Sequence, residues 1–237
     1  MKQALIILVL LCTGYSHLAI ADDAEQLYYT LRNKVLSVKD YTADVKIKVD
    51  VAYMKVPLLK GQLYFKAPDK MKLERNGGIS ILPKKNVNLT LSNLIPSGKV
   101  TVIDAGTAEI NGKKLRILKV IPEDDQGTIV LTKMWVDESN LLVMRTETTT
   151  HNDGTIIMSL EYGKYLNYAL PDKVIIHMDL KDYQIPKGMT MDYEDTPETT
   201  ASANKPKGPQ KGTIEIHYLK YLVNTGLSDA LFINKEQ

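Results

Sequence analysis

The chain has 237 residues, a length that suits one β-barrel or β-sandwich domain and is short for two full domains. Its hydrophobic fraction of 44% is enough for a sizeable core, and 30 Lys and Arg residues nearly balance 28 Asp and Glu residues. A net charge of +2 lacks the basic excess that nucleic-acid-binding domains carry, so we expect no nucleic-acid partner.

The first 21 residues have the layout of a cleavable secretory signal peptide. Lys2 supplies a short positive region, residues 4–12 are uncharged and apolar, and residues 19–21 (Ala-Ile-Ala) match the A-x-A cleavage pattern. The apolar run is much shorter than the ~18–20 residues needed to span a bilayer. We therefore expect residues 1–21 to be removed, leaving a periplasmic protein without a transmembrane segment. The single cysteine, Cys12, would be lost with them, which excludes disulfides and thiolate metal sites.

The first predicted element of the mature chain is an amphipathic helix from Asp22 to about Lys39. Leu27, Leu31 and Val35 recur every four residues and Val38 follows three residues later, so all four lie on one face of a helix. Three carboxylates crowd the first turn, where they interact favourably with the helix dipole.

The spacing of apolar residues then changes to two. From Tyr41 to Val51 apolar and polar residues alternate strictly, which is typical of a strand with one face in water. Asn152-Asp153-Gly154 is a strong hairpin turn signal later in the chain. Further strands are predicted on either side of a turn at 67–69 and at 100–103, 114–121, 127–136, 141–149, 156–162, 173–181 and 213–218. About ten strands with hairpin-length connections predict a mainly β (α+β) fold, with an antiparallel sheet that curls or closes.

Two segments interrupt this pattern. Residues 86–95 are compatible with either a strand or a short helix. Residues 182–212 are rich in Pro, Thr, Lys, Gly and acidic residues, and 194–210 contain no aliphatic side chain larger than alanine. Such a segment cannot bury enough apolar surface to order itself, so we predict a mobile loop inserted in one domain of residues 22–237.

No motif for catalysis, metal binding or cofactor binding is present. The HExxH and G-x-S-x-G patterns, Cys/His metal spacings and glycine-rich phosphate-binding or dinucleotide-binding patterns are all absent. Acidic pairs such as Asp124-Asp125 fall in predicted loops, where solvated turns explain them. We therefore expect no catalytic residue, no metal, no cofactor and no enzymatic activity.

The inward-facing apolar residues have two possible explanations. A packed β-sandwich core is the simpler one. A binding surface is favoured by the sharp difference in charge between the two faces and by the recurrence of flexible methionines on the inward phase. A single helix of ~17 residues, ~25 Å long, is also too small to cover the concave face of so wide a sheet. The residues that would line such an apolar trough are Val45, Ile47, Val49, Leu63, Phe65, Met71, Leu73, Met158, Leu160, Ile176 and Met178.

Four stretches of the chain resemble one known family. They are the helix with its following strand 41–51, the strand–turn–strand 61–74 with Pro68 at its centre, the W-x-D…R pattern at 135–145, and the closing stretch 223–232. Their order is similar to that of the LolA/LolB-like periplasmic lipoprotein carriers and the broader set of outer-membrane lipoprotein-sorting proteins. The resemblance covers most of the mature chain.

This resemblance implies an incomplete antiparallel β-barrel with the N-terminal helix packed across its concave face, and an inner surface that receives acyl chains of lipids or lipoproteins without any reaction. A second hypothesis is an envelope regulatory or interaction module similar to the lipid-sensing domain of RseB-type regulators, with an envelope protein as partner. Strand 41–51 lacks the arginine that the classical carriers place in their early strands, so no arginine is assigned a role.

Overall fold

The computed structural model describes residues 19–51, 54–55, 57–75, 95–96, 98–124, 127–151, 154–179 and 211–233. Helix α1 (Ala19–Leu36) precedes all the strands, and short 3-10 helices lie at Leu166–Tyr168 and Asp229–Phe232. The strands are β1 (Asp40–Val51), β2 (Met54–Lys55), β3 (Leu59–Lys66), β4 (Lys70–Arg75), β5 (Val100–Ile110), β6 (Lys113–Pro122), β7 (Ile129–Asp137), β8 (Leu142–Thr150), β9 (Thr155–Glu161), β10 (Lys173–Asp179) and β11 (Lys211–Val223).

All of these strands belong to one antiparallel sheet. Its order is β4-β3-β1-β11-β10-β9-β8-β7-β6-β5, and the two-residue strand β2 pairs with β1. Strands β5 to β11 form a meander, and the pairing of β11 with β1 then joins the last strand to the first. Within the described ranges β4 and β5 stand at opposite ends of the order and do not pair, so the sheet stays open. The predicted incomplete antiparallel barrel with an N-terminal helix is confirmed.

Several boundaries differ from the sequence prediction: helix α1 begins at Ala19, before Asp22, and the strand predicted at 213–218 continues to Val223. Three further differences have a visible cause or consequence. Helix α1 ends at Leu36, before Lys39, because the backbone N–H and the hydroxyl of Ser37 both turn back to the Lys34 carbonyl. The strand predicted at 100–103 continues to Ile110. The pairing register with β6 shifts between Asp104 and Thr107, so the two residues between them are accommodated without ending the strand.

The third correction concerns the predicted loop at 182–212. Residues 211 and 212 belong to β11, where Gly212 lies opposite Val51 and Met178. Residues 182–210 lie outside the described part of the chain, as do residues 86–94 of the second segment and residues 1–18 of the predicted signal peptide.

Helix α1 packs on the concave face of the sheet. Ala24, Tyr28 and Leu31 are buried in the core, and Leu27 and Val35 pack beside them half-buried. The predicted apolar face of the helix is therefore the face that meets the sheet. The Tyr28 hydroxyl adds a hydrogen bond of 2.9 Å to the carbonyl of Pro96. No helix among the described residues is long and apolar enough to cross a bilayer.

The junction of α1 and β1 is tied to the segment that follows β11. The buried Asp40 carboxylate accepts hydrogen bonds from the backbone N–H groups of Thr225 (2.8 Å) and Gly226 (3.1 Å). The Asn224 side-chain carbonyl accepts from the Lys39 N–H at 2.7 Å, and the Asn224 N–H donates to the Asp40 carbonyl at 2.8 Å. Because Gly226 has φ +79°, only a glycine adopts this turn without strain. These bonds fix the position from which α1 projects over the sheet.

Candidate functional site

The residues predicted to line an apolar trough share one face of the sheet. Met71 is half-buried and packs against this core, and Met178 lies in β10 with its side chain outside the described part of the chain. The remaining nine are buried in the core that α1 covers: Val45, Ile47, Val49, Leu63, Phe65, Leu73, Met158, Leu160 and Ile176. Their grouping on the concave face therefore follows the alternation of the strands, and their role in binding stays a prediction.

A cavity of about 50 Å³ lies at one end of this core. Its walls come from Val35 in the last turn of α1, from Val38 between α1 and β1, from residues 168–171, and from the strands on the concave face. Of the predicted trough residues, Phe65, Met158 and Leu160 line it. The concave face is covered more completely than one helix alone would achieve, because the segment after β9 buries Ala169 and Leu170 at the same end. The cavity has room for a few water molecules and is far smaller than a typical ligand pocket of ~300–1,000 Å³.

Four aromatic rings from the strands, those of Tyr41, Phe65, Tyr218 and Tyr221, line the cavity. Tyr41 stacks on Phe65 with ring centroids 5.1 Å apart, and Tyr221 meets Tyr41, Tyr165 and Tyr218 at 4.9–5.3 Å. Such contacts stabilise a fixed arrangement of rings beyond the burial of their area.

The hydroxyl groups of these rings are neutral. The Tyr221 hydroxyl donates to the Pro171 carbonyl at 2.7 Å. Burial raises the pKa of Tyr41, Tyr218 and Tyr221 well above the ordinary value, so none of them ionises near neutral pH. The cavity therefore has an apolar wall that carries no charge, which suits hydrocarbon.

Solved structures share this fold over most of the chain. A domain from Vibrio parahaemolyticus assigned to outer membrane lipoprotein sorting, and a DUF1329 family protein from Desulfovibrio piger, each match with a TM-score of 0.52 and 12% identity over 90% of this chain and 97% of their own. A LolA superfamily protein from Nitrosomonas europaea matches with the same TM-score and identity over 89% of this chain and 97% of its own. The chain has the fold of the LolA superfamily.

The resemblance to LolA-like proteins inferred from the sequence is confirmed at the level of the fold. No protein-family model matches the sequence, and no curated protein matches it either. At 12% identity, no residue role is transferred from the LolA-like structures to this chain.

One arginine on the concave side of the LolA-like sheet was not singled out from the sequence. Arg116, in β6, bonds Asp104 in β5 at 2.9 Å, Asp23 in α1 at 2.8 Å and Glu138 after β7 at 3.0 Å. Burial alone would lower the pKa of Arg116, but the hydrogen bonds with these three carboxylates raise it, so the guanidinium stays charged. The sequence did contain one signal. Arg116 alternates in step with Leu118 and Val120, so it lies on the same inward-facing side of the predicted strand.

Arg116 connects the start of α1 to the sheet, whereas Lys34 connects its last turn to the β7–β8 turn by donating to the Asn140 carbonyl at 2.7 Å. Polar contacts thus hold the helix near both of its ends, and apolar packing holds it between them. Among the described residues no group of three His, Cys, Asp or Glu side chains is placed to hold a metal ion.

Proposed function

We propose that this protein binds acyl chains of lipids or lipoproteins between α1 and the concave face of the sheet, as a periplasmic carrier that aids outer-membrane lipoprotein sorting. The observation that carries the proposal is the extensive apolar face, buried under one helix and ending in an uncharged, ring-lined cavity. The LolA-like fold, which this chain shares with a domain assigned to lipoprotein sorting, supports the same ligand class. Envelope proteins that donate or receive the lipid would be the protein partners.

The size of the cavity defines how a chain would enter. A cavity of about 50 Å³ cannot hold a long acyl chain, so α1 must move away from the sheet as the chain enters. The chain then takes the place of Tyr28, Leu31 and the other apolar groups that α1 buries. Burying sixteen carbons at ~0.8 kcal/mol per CH₂ supplies on the order of 10 kcal/mol, from which the lost helix contacts and the ordering costs are subtracted.

The polar contacts of Arg116 are weak enough to permit this movement. Asp23, the partner of Arg116 in α1, has a side chain that is 68% exposed, and an ion pair with such an exposed partner contributes little and is screened by salt. We therefore infer that α1 moves when a lipid binds and that the sheet stays fixed.

The test is uptake of a fluorescent sixteen-carbon fatty acid by detergent-free protein. We expect saturable binding of the fatty acid, because burial of its chain has to outweigh the α1 contacts and the ordering costs that oppose it. Arg116→Gln should speed uptake severalfold in stopped-flow fluorescence, because α1 opens more easily. Lys119→Gln, which removes a charge from the opposite face of β6, is the matched control and should bind at the wild-type rate. Absence of binding by the wild-type protein would exclude the proposed function.

A further inference from the structure

Three threonines interrupt the apolar surface of the concave face. Thr132 in β7 and Thr146 and Thr148 in β8 are all completely buried. The hydroxyls of Thr132 and Thr148 lie 3.3 Å apart and form a hydrogen bond. The Thr146 hydroxyl has no hydrogen-bond partner among the described residues. A valine would fill the same space without burying a hydroxyl. The unpaired Thr146 hydroxyl therefore lowers the free energy of unfolding relative to valine.

Thr146 lies next to a residue of the cavity wall. In the register of the sheet it stands directly between Met134 in β7 and Met158 in β9. Residues that face each other across antiparallel strands have Cβ atoms about 5 Å apart. Met158 lines the cavity, and methionine changes rotamer readily. A ligand that displaces the Met158 side chain therefore reaches the Thr146 hydroxyl.

We propose that the Thr146 hydroxyl donates a hydrogen bond to a carbonyl oxygen, ester or amide, of the bound lipid. This inference rests on the proposed acyl-chain binding and adds that the ligand carries a neutral polar group inside the apolar interior. A carboxylate or phosphate fits poorly beside Thr146, because burying an anion requires a paired cation, and Arg116 on this face of β6 stays paired with Asp104 and Glu138 when α1 moves away. A bound fatty acid would therefore keep its carboxylate in water. One neutral hydroxyl matches one neutral carbonyl.

The stability of the ligand-free protein provides the first test. Thr146→Val in the full chain should raise the melting temperature by about 2–4 °C, because it removes a buried hydroxyl without a partner. Thr148→Val is the matched control: it is the same substitution at the next inward position of β8, but it breaks the bond to Thr132 and should lower the melting temperature. A lower melting temperature for Thr146→Val would mean that its hydroxyl is already satisfied, and it would overturn the inference.

Lipid selectivity provides the second test. Methyl palmitate, N-methylpalmitamide and hexadecyl methyl ether would compete with the fluorescent fatty acid for the wild-type protein and Thr146→Val. We expect Thr146→Val to weaken binding of the ester, the amide or both by about tenfold, and binding of the ether by less than about twofold. The two carbonyl compounds distinguish an ester-linked from an amide-linked ligand.

The two proposals fail in different ways. If the wild-type protein binds all three compounds equally and Thr146→Val changes none of them, acyl binding stands and the role of Thr146 is excluded. If the wild-type protein binds none of them and no fatty acid, both proposals are excluded.

Discussion

Replacing Val174 with phenylalanine is expected to weaken fatty-acid binding by about thirtyfold or more. Val174 is buried, lines the cavity and lies opposite Leu160 in the β9–β10 pairing. The added ring would fill the cavity of about 50 Å³ and project into the space that we expect an acyl chain to occupy along the concave face. Overpacking of this kind destabilises a core by about 1–3 kcal/mol, so the variant should still fold.

Equilibrium fluorescence titration with the fatty acid measures this effect, and circular dichroism confirms the fold of the variant. Val130→Phe makes the same change at a position of β7 that is 40% exposed, and it should bind like the wild-type protein. Wild-type affinity in a folded Val174→Phe protein would show that acyl chains bind elsewhere.

Replacing Asp40 with alanine is expected to lower the free energy of unfolding by about 3 kcal/mol. The Asp40 carboxylate is the acceptor for the backbone N–H groups of Thr225 and Gly226, and it is only 5% exposed as a residue. Without it those N–H groups lose their charged acceptor at the place where α1, β1 and the segment after β11 meet. Urea unfolding of the full chain measures the change.

Asp44→Ala is the control for this prediction. Asp44 lies in the same strand but is exposed, and its carboxylate accepts from the side chain of Gln62 at 3.2 Å. We expect it to change the free energy of unfolding by less than about 0.5 kcal/mol. Equal effects of the two substitutions would contradict the role given to Asp40.

The alternation of side chains predicted the sheet because one face of nearly every strand is buried. In β1, Val45, Ile47 and Val49 are buried while Asp44 and Lys48 are exposed, so a period of two was sufficient. The same rule fails where the register shifts, since a bulge changes the face to which the following residues point. It also cannot report pairing between strands distant in the chain, such as β1 with β11.

The wall of aromatic rings shows this limit. The irregularity between Asp44 and Val45 opposite β11 places both Tyr218 and Tyr221 inside, three residues apart, and leaves Leu222 half exposed. Strict alternation from Tyr218 would have placed Leu222 inside and Tyr221 outside. The cavity was therefore not predictable, because its tyrosines depend on a local break in the pattern.

Arg116 and Thr146 were missed for a different reason. Each is a polar residue on the inward-facing side of a predicted strand. A search for alternating apolar residues passes over such a position, because it identifies only the apolar ones. Their significance comes from partners on other elements: three carboxylates for Arg116, and the absence of any partner for the Thr146 hydroxyl among the described residues. Sequence spacing carries neither kind of information.

Native mass spectrometry of the protein, purified without detergent, tests acyl-chain binding most directly. We predict a population with an additional mass equal to one or more fatty-acyl lipids, which collisional activation releases and which is strongly reduced in Val174→Phe. Recovery of ligand-free protein alone, together with no uptake of an added fatty acid, would contradict a carrier of acyl chains and leave the concave face as an ordinary packed core.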